Sequence, residues 1–124
     1  MNKQETTLDY NERINNVRNY INSHLFEDID VNRLAEVSNF SLFHFHRIMR
    51  AFLNEPLWSH IIRLRLEAAA ELLKSQDLSI TDIAYKIGYE TPQSFTKAFK
   101  SYYGFTPIDF RIKKPSIYKK EIIN

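Results

Sequence analysis

An internal repeat constrains this chain more than any other feature. When residues 30–54 are laid over residues 79–104, Leu34-Ala35 falls on Ile83-Ala84 and Asn39-Phe40 on Gly88-Tyr89. After one inserted residue, Phe45 falls on Phe95, Arg47 on Lys97, Met49 on Phe99, Phe52 on Tyr102 and Asn54 on Gly104. A period of about 50 residues that repeats a short amphipathic segment, a turn and a longer amphipathic segment marks a duplicated helix-turn-helix unit. The alanine of each short segment permits close helix crossing. The Asn or Gly of each turn tolerates the left-handed backbone that redirects the chain.

Around this repeat the apolar spacing predicts helices throughout. A first helix over about 8–25 carries Ile14, Val17, Ile21 and Leu25 on one face. Asp30 caps a second, with Val31, Leu34 and Val37, which Asn39 stops. Ser41 caps a third over about 42–53, with Phe45, Ile48, Met49 and Phe52 inward and Asn54 at its end. LWSHIIRLRLEAAAELLKSQ lacks Gly and Pro and reads as one linker helix over about 57–76, apolar on more than one face. Ser79 opens a fifth helix with Ile80, Ile83, Ala84 and Ile87, closed by Gly88. Thr91-Pro92 starts a sixth, with Phe95, Ala98, Phe99 and Tyr102 inward, and Thr106-Pro107 starts a short last helix through about Lys113. The expected fold is all-α, with about seven helices. Two helix-turn-helix subdomains, about 8–54 and 79–113, are joined by the linker helix, and residues 114–124 form a basic tail or a link to an absent domain.

Composition narrows the function. The chain has 124 residues, 44% hydrophobic and 14% aromatic, which suits one folded domain rather than a disordered tail. It has no cysteine, so disulfides, thiolate metal sites and thiol nucleophiles are excluded. No run approaches the roughly 18 apolar residues of a membrane span, and the amino terminus lacks the apolar core of a signal peptide, so a cytoplasmic protein is expected. Net charge is only +2, but residues 1–40 hold four Lys/Arg against seven Asp/Glu and residues 41–124 thirteen against eight. A basic majority behind an acidic leader suits a surface that faces a polyanion.

The longer helix of each repeat carries the candidate site. Leu42, Phe43, His46, Arg47 and Arg50 in the first copy, and Gln93, Ser94, Thr96, Lys97 and Lys100 in the second, lie outside the core face by helical geometry. Arg and Lys bond guanine O6/N7 or phosphate, Gln bonds adenine N6/N7, and Thr or an aromatic ring meets a thymine methyl. His46 donates or accepts according to its tautomer. A linker of about 20 residues spans about 30 Å, close to the roughly 34 Å of one turn of B-DNA. The expected partner is therefore double-stranded DNA, read in two successive major-groove segments by one chain. The rival reading is a helical protein-interaction module anchored on the adjacent Leu42 and Phe43. An enzyme is not expected: there is no Gly-rich phosphate loop, nucleophile motif or convergent carboxylate pair. No metal or cofactor is expected either, because His44 and His46 point two ways on a helix.

The segment SITDIAYKIGYETPQSFTKAFKSYYGFTPIDFR, residues 79–111, resembles the signature of the AraC/XylS family of bacterial transcription regulators. The matching residues are Ile80, Ile83-Ala84, Gly88-Tyr89, Phe95-x-Lys97-x-Phe99-Lys100, Gly104-x-Thr106-Pro107 and Phe110-Arg111, and RLRLEAAAELL resembles the family's linker helix. The resemblance covers about residues 10–113. It implies seven helices, reading helices at about 42–53 and 92–103, and base-reading sites at Phe43, His46, Arg47, Gln93, Ser94, Thr96 and Lys97. It also implies activation through contact with RNA polymerase. Asn39 and Asn54 depart from the family's usual Gly, and Pro92 from a frequent polar residue, which leaves base contact there to its neighbours. Family members usually carry a sensor domain. Two expectations stay open here: a stand-alone regulator, or a fragment whose effector-binding domain follows Asn124, as the Asn54-Glu55-Pro56-Leu57 stretch resembles members with the DNA-binding domain first.

Overall fold

The computed structural model describes residues 3–75 and 77–114, with side chains from Asp9 onward. Seven helices run in chain order: α1 (Lys3–Ser23), α2 (Val31–Ser38), α3 (Leu42–Leu53), α4 (Leu57–Leu73), α5 (Ile80–Lys86), α6 (Pro92–Tyr103) and α7 (Pro107–Lys113). The described residues contain no strand. The chain forms two compact units, residues 1–62 and 63–124, with the boundary inside α4. The tail expected over 114–124 lies, beyond Lys114, outside the described residues.

Five helices begin at a side chain that accepts a hydrogen bond from an amide of the first turn, which would otherwise lack a partner. Asp30 accepts from Asn32, Ser41 from His44, Ser79 from Asp82, Thr91 from Ser94 and Thr106 from Asp109, at 2.9–3.2 Å. Asn39, Asn54, Gly88 and Gly104 all have positive φ, as their places at helix ends require. Two boundaries differ from expectation. α1 starts at Lys3 rather than near Leu8, because nothing in that stretch breaks a helix, while apolar periodicity shows only where a buried face begins. α4 ends at Leu73 rather than near Gln76. There the amides of Lys74 and Ser75 bond Glu71 and Leu72 three residues back, and Arg111 takes up the carbonyls beyond.

In the first unit the buried residues include Ile14, Val17, Ile21, Leu34, Ala35, Phe45, Met49 and Ile61. Phe52, expected inward, is 39% exposed. Periodicity gives the face of a helix but not how far along it the core extends, and the last turn of α3 runs past it. In the second unit Leu66, Ala69, Ala70, Leu73, Ile83, Ala84, Ile87, Phe95, Phe99, Tyr103 and Phe110 form one core. Tyr102, expected inward, is only half-buried against it, and Tyr103 is buried instead. On α4, Leu64, Ala68 and Leu72 are half-buried and Ile62 is exposed, so its apolar surface is wide but incompletely covered. Among the described residues no helix is long and apolar enough to cross a membrane.

Candidate nucleic-acid interface

Each unit builds its turn in the same way. The Phe40 amide reaches back to the Ala35 carbonyl at 3.3 Å and the Tyr89 amide to the Ala84 carbonyl at 3.0 Å, the six-to-one bond of a Schellman turn. Ala35 and Ala84 are both buried. In the first turn the buried Ser38 hydroxyl donates to Ala35 and accepts from the Phe40 amide. Arg13 of α1 adds hydrogen bonds from its guanidinium to the carbonyls of Ser38 and Asn39. Phe40 meets Tyr10 and His44 edge-on, both at 5.2 Å between ring centroids. The chain therefore leaves each turn in a fixed direction, into α3 or α6.

Phe45 and Met49 anchor α3, and Phe95, Phe99 and Tyr103 anchor α6. With about 100° per residue, Phe43, His46, Arg47 and Arg50 fall on a stripe opposite the α3 anchors, and Gln93, Thr96, Lys97 and Lys100 take the same places on α6. All are exposed except Thr96, which is half-buried. Leu42 and Ser94 are also exposed. Phe43, at 74%, is the most exposed large apolar residue described, and the Arg47 guanidinium lies 5.9 Å from its ring centroid. His46, Arg47, Arg50 and Ala51 line an open depression on α3.

Ser94 is partly committed to structure: its hydroxyl oxygen accepts from Thr91 at 2.8 Å while its amide donates back to Thr91. Pro92, half-buried at the first helical position, offers no amide hydrogen. Near the α6 turn, burial raises the pKa of the Tyr89 phenol above its ordinary value, and the nearby Arg65 guanidinium partly offsets this. Sequence reasoning did not single out Arg13 and gave Arg111 only as part of the family signature, with no structural role; the carbonyls they bond are 25 or more residues away. Among the described residues no three His, Cys, Asp or Glu side chains converge on a point that could hold a metal ion.

Comparison with known proteins bears on this surface. A family model described as a helix-turn-helix domain matches residues 34–113. The chain is 37% identical over 102 residues to an uncharacterized HTH-type transcriptional regulator, YbfP, of Bacillus subtilis, covering 82% of this chain and 35% of that protein. The chain thus spans about a third of that relative's length. It is 32% identical over 93 residues to the HTH-type transcriptional activator AarP of Providencia stuartii, covering 75% of this chain and 69% of AarP. Among solved structures, the DNA-binding domain of the global transcriptional factor AdpA, in complex with a target DNA, superposes with a TM-score of 0.72 at 27% identity, over 78% of this chain and 87% of that one.

Proposed function

Because this chain belongs to the AraC/XylS family of helix-turn-helix transcription regulators, we propose that residues 8–113 bind duplex DNA sequence-specifically, as a monomer, and that the protein acts as a transcription activator. One observation carries the reading. The same angular positions on α3 and on α6 present polar, basic or aromatic groups away from buried anchors, twice in one chain. Leu42, Phe43, His46, Arg47 and Arg50 form the richer reading set. Gln93, Ser94, Thr96, Lys97 and Lys100 form the second set, whose lysines favour phosphate contact and affinity over base discrimination. Each unit docks its reading helix in one major-groove segment, so one chain covers two successive segments. Two further partners belong to the proposal through the family resemblance: RNA polymerase, and an effector-binding domain following these residues.

Selection of bound duplexes from a random pool, followed by salt titration on the recovered duplex, tests this reading. A recurring motif in two segments is expected, with affinity falling roughly a thousandfold between about 50 and about 200 mM salt. Binding without sequence preference would overturn it. Salt-insensitive binding to a protein through Leu42 and Phe43 would replace it with an interaction module.

A further inference from the structure

The duplication extends further than two helices. On α1, Arg13 is followed by apolar residues one, four and eight positions later: Ile14, Val17 and Ile21. On α4, Arg65 is followed at the same spacings by Leu66, Ala69 and Leu73. All six are buried, none more than 2% exposed. Each unit is therefore a three-helix repeat, and the shared burial pattern places an arginine at the same edge of each first helix.

Both arginines meet the turn that precedes the reading helix. Arg13 Nε donates to the Ser38 carbonyl at 2.6 Å, and a terminal guanidinium nitrogen donates to the next carbonyl, Asn39. The other terminal nitrogen is held by Asp9 at 3.1 Å, and the guanidinium plane sits 3.7 Å from the Phe40 ring centroid. In the second unit the Arg65 guanidinium lies 3.5 Å from where a Cβ on Gly88 would stand, beside Tyr89. Gly88-Tyr89 is the counterpart of Asn39-Phe40. A planar guanidinium can chelate two successive carbonyls, whereas an ammonium cannot hold both in fixed geometry.

The turn sets the angle at which a 12-residue helix leaves it. Such a helix is about 18 Å long, so a tilt of about 10° moves its far end by about 3 Å, close to the roughly 3.4 Å between stacked bases. We propose that Arg13 and Arg65 are positioning residues for base reading, each locking the turn of its own unit so that α3 or α6 enters the groove at one angle. This role rests on the reading of α3 and α6 as DNA-reading helices.

Arg13→Lys and Arg65→Lys in the full chain test it, because they keep the charge and remove the fork. The readouts are competition between the selected duplex and a scrambled duplex, and amide hydrogen exchange. Each variant should lose about tenfold in preference for the selected duplex, the scale of a mismatched base pair, with affinity for the scrambled duplex unchanged. Exchange should quicken at Asn39 and Phe40 in Arg13→Lys, and at Gly88 and Tyr89 in Arg65→Lys, with the other unit's turn unaffected. Faster exchange with full selectivity would reduce the arginines to structural supports and overturn the role. A salt slope lowered by about one in Arg13→Gln would make Arg13 a phosphate contact instead. A wild-type chain that selects no duplex would overturn the base reading and this role with it, leaving the exchange data as a result about the turns alone.

Discussion

In the first unit α3 turns Phe43, His46, Arg47 and Arg50 outward, and even Phe52 stays partly in solvent. In the second unit the matching helix presents smaller or simpler groups, Gln93, Thr96, Lys97 and Lys100, and its aromatic rings go inward. Phe95, Phe99, Tyr103 and Phe110 pack ring against ring, with centroids 4.7–5.6 Å apart. Arg111 of α7 then ties the unit to the end of α4 through the carbonyls of Leu73, Ser75 and Leu78. The backbone plan is the same, but the large side chains are placed differently. A ring inside stabilises whichever way the helix faces, whereas a ring or guanidinium outside can discriminate a base edge. Under the proposed reading of DNA, the second unit is thus suited to bracing and affinity, and the first to discrimination.

Four tests by substitution would break or sharpen that contrast. Phe99→Ala should cost about 3–5 kcal/mol of stability, while Phe52→Ala, half in solvent already, should cost less than about 1 kcal/mol. Equal losses in denaturant titrations would remove the difference between the units. Arg111→Ala strands three carbonyls and should cost about 3 kcal/mol. If it destabilises no more than Lys113→Ala, water satisfies those carbonyls and the brace is illusory. Arg47→Ala should cost about 1–3 kcal/mol of binding and relax preference at one base step. Unchanged affinity for the selected duplex would take Arg47 out of base reading. Lys100→Ala should weaken binding evenly across sequences and lower the salt slope by about one. A loss confined to some sequences would put α6 on a par with α3 as a reader.

Much of the fold was legible because its determinants are local. The caps at Asp30, Ser41, Ser79, Thr91 and Thr106 bond amides two or three residues on, so adjacent letters suffice to find them. The turns at Asn39, Asn54, Gly88 and Gly104 need only a residue that accepts positive φ. The outward stripe on α3 and α6 followed from helical period once Phe45 and Phe95 were set inward. Thr96 shows the limit of that argument: at the margin of the stripe its burial depends on neighbours that the period does not describe.

The sequence by itself determined the duplication, the seven helices, nearly all their starts and stops, and the residues that α3 and α6 turn away from the core. Tertiary structure decided where α4 ends, because the carbonyls of Leu73 and Ser75 are taken by Arg111, 36 to 38 residues away. It decided that Phe52 stays partly in solvent while Tyr103 is buried, because the extent of a core depends on what packs against it. It also decided that Arg13 reaches across to the turn at Ser38 and Asn39. Caps and periods are set within one turn of helix, whereas a guanidinium reaching another segment depends on how the helices of a unit fold onto one another.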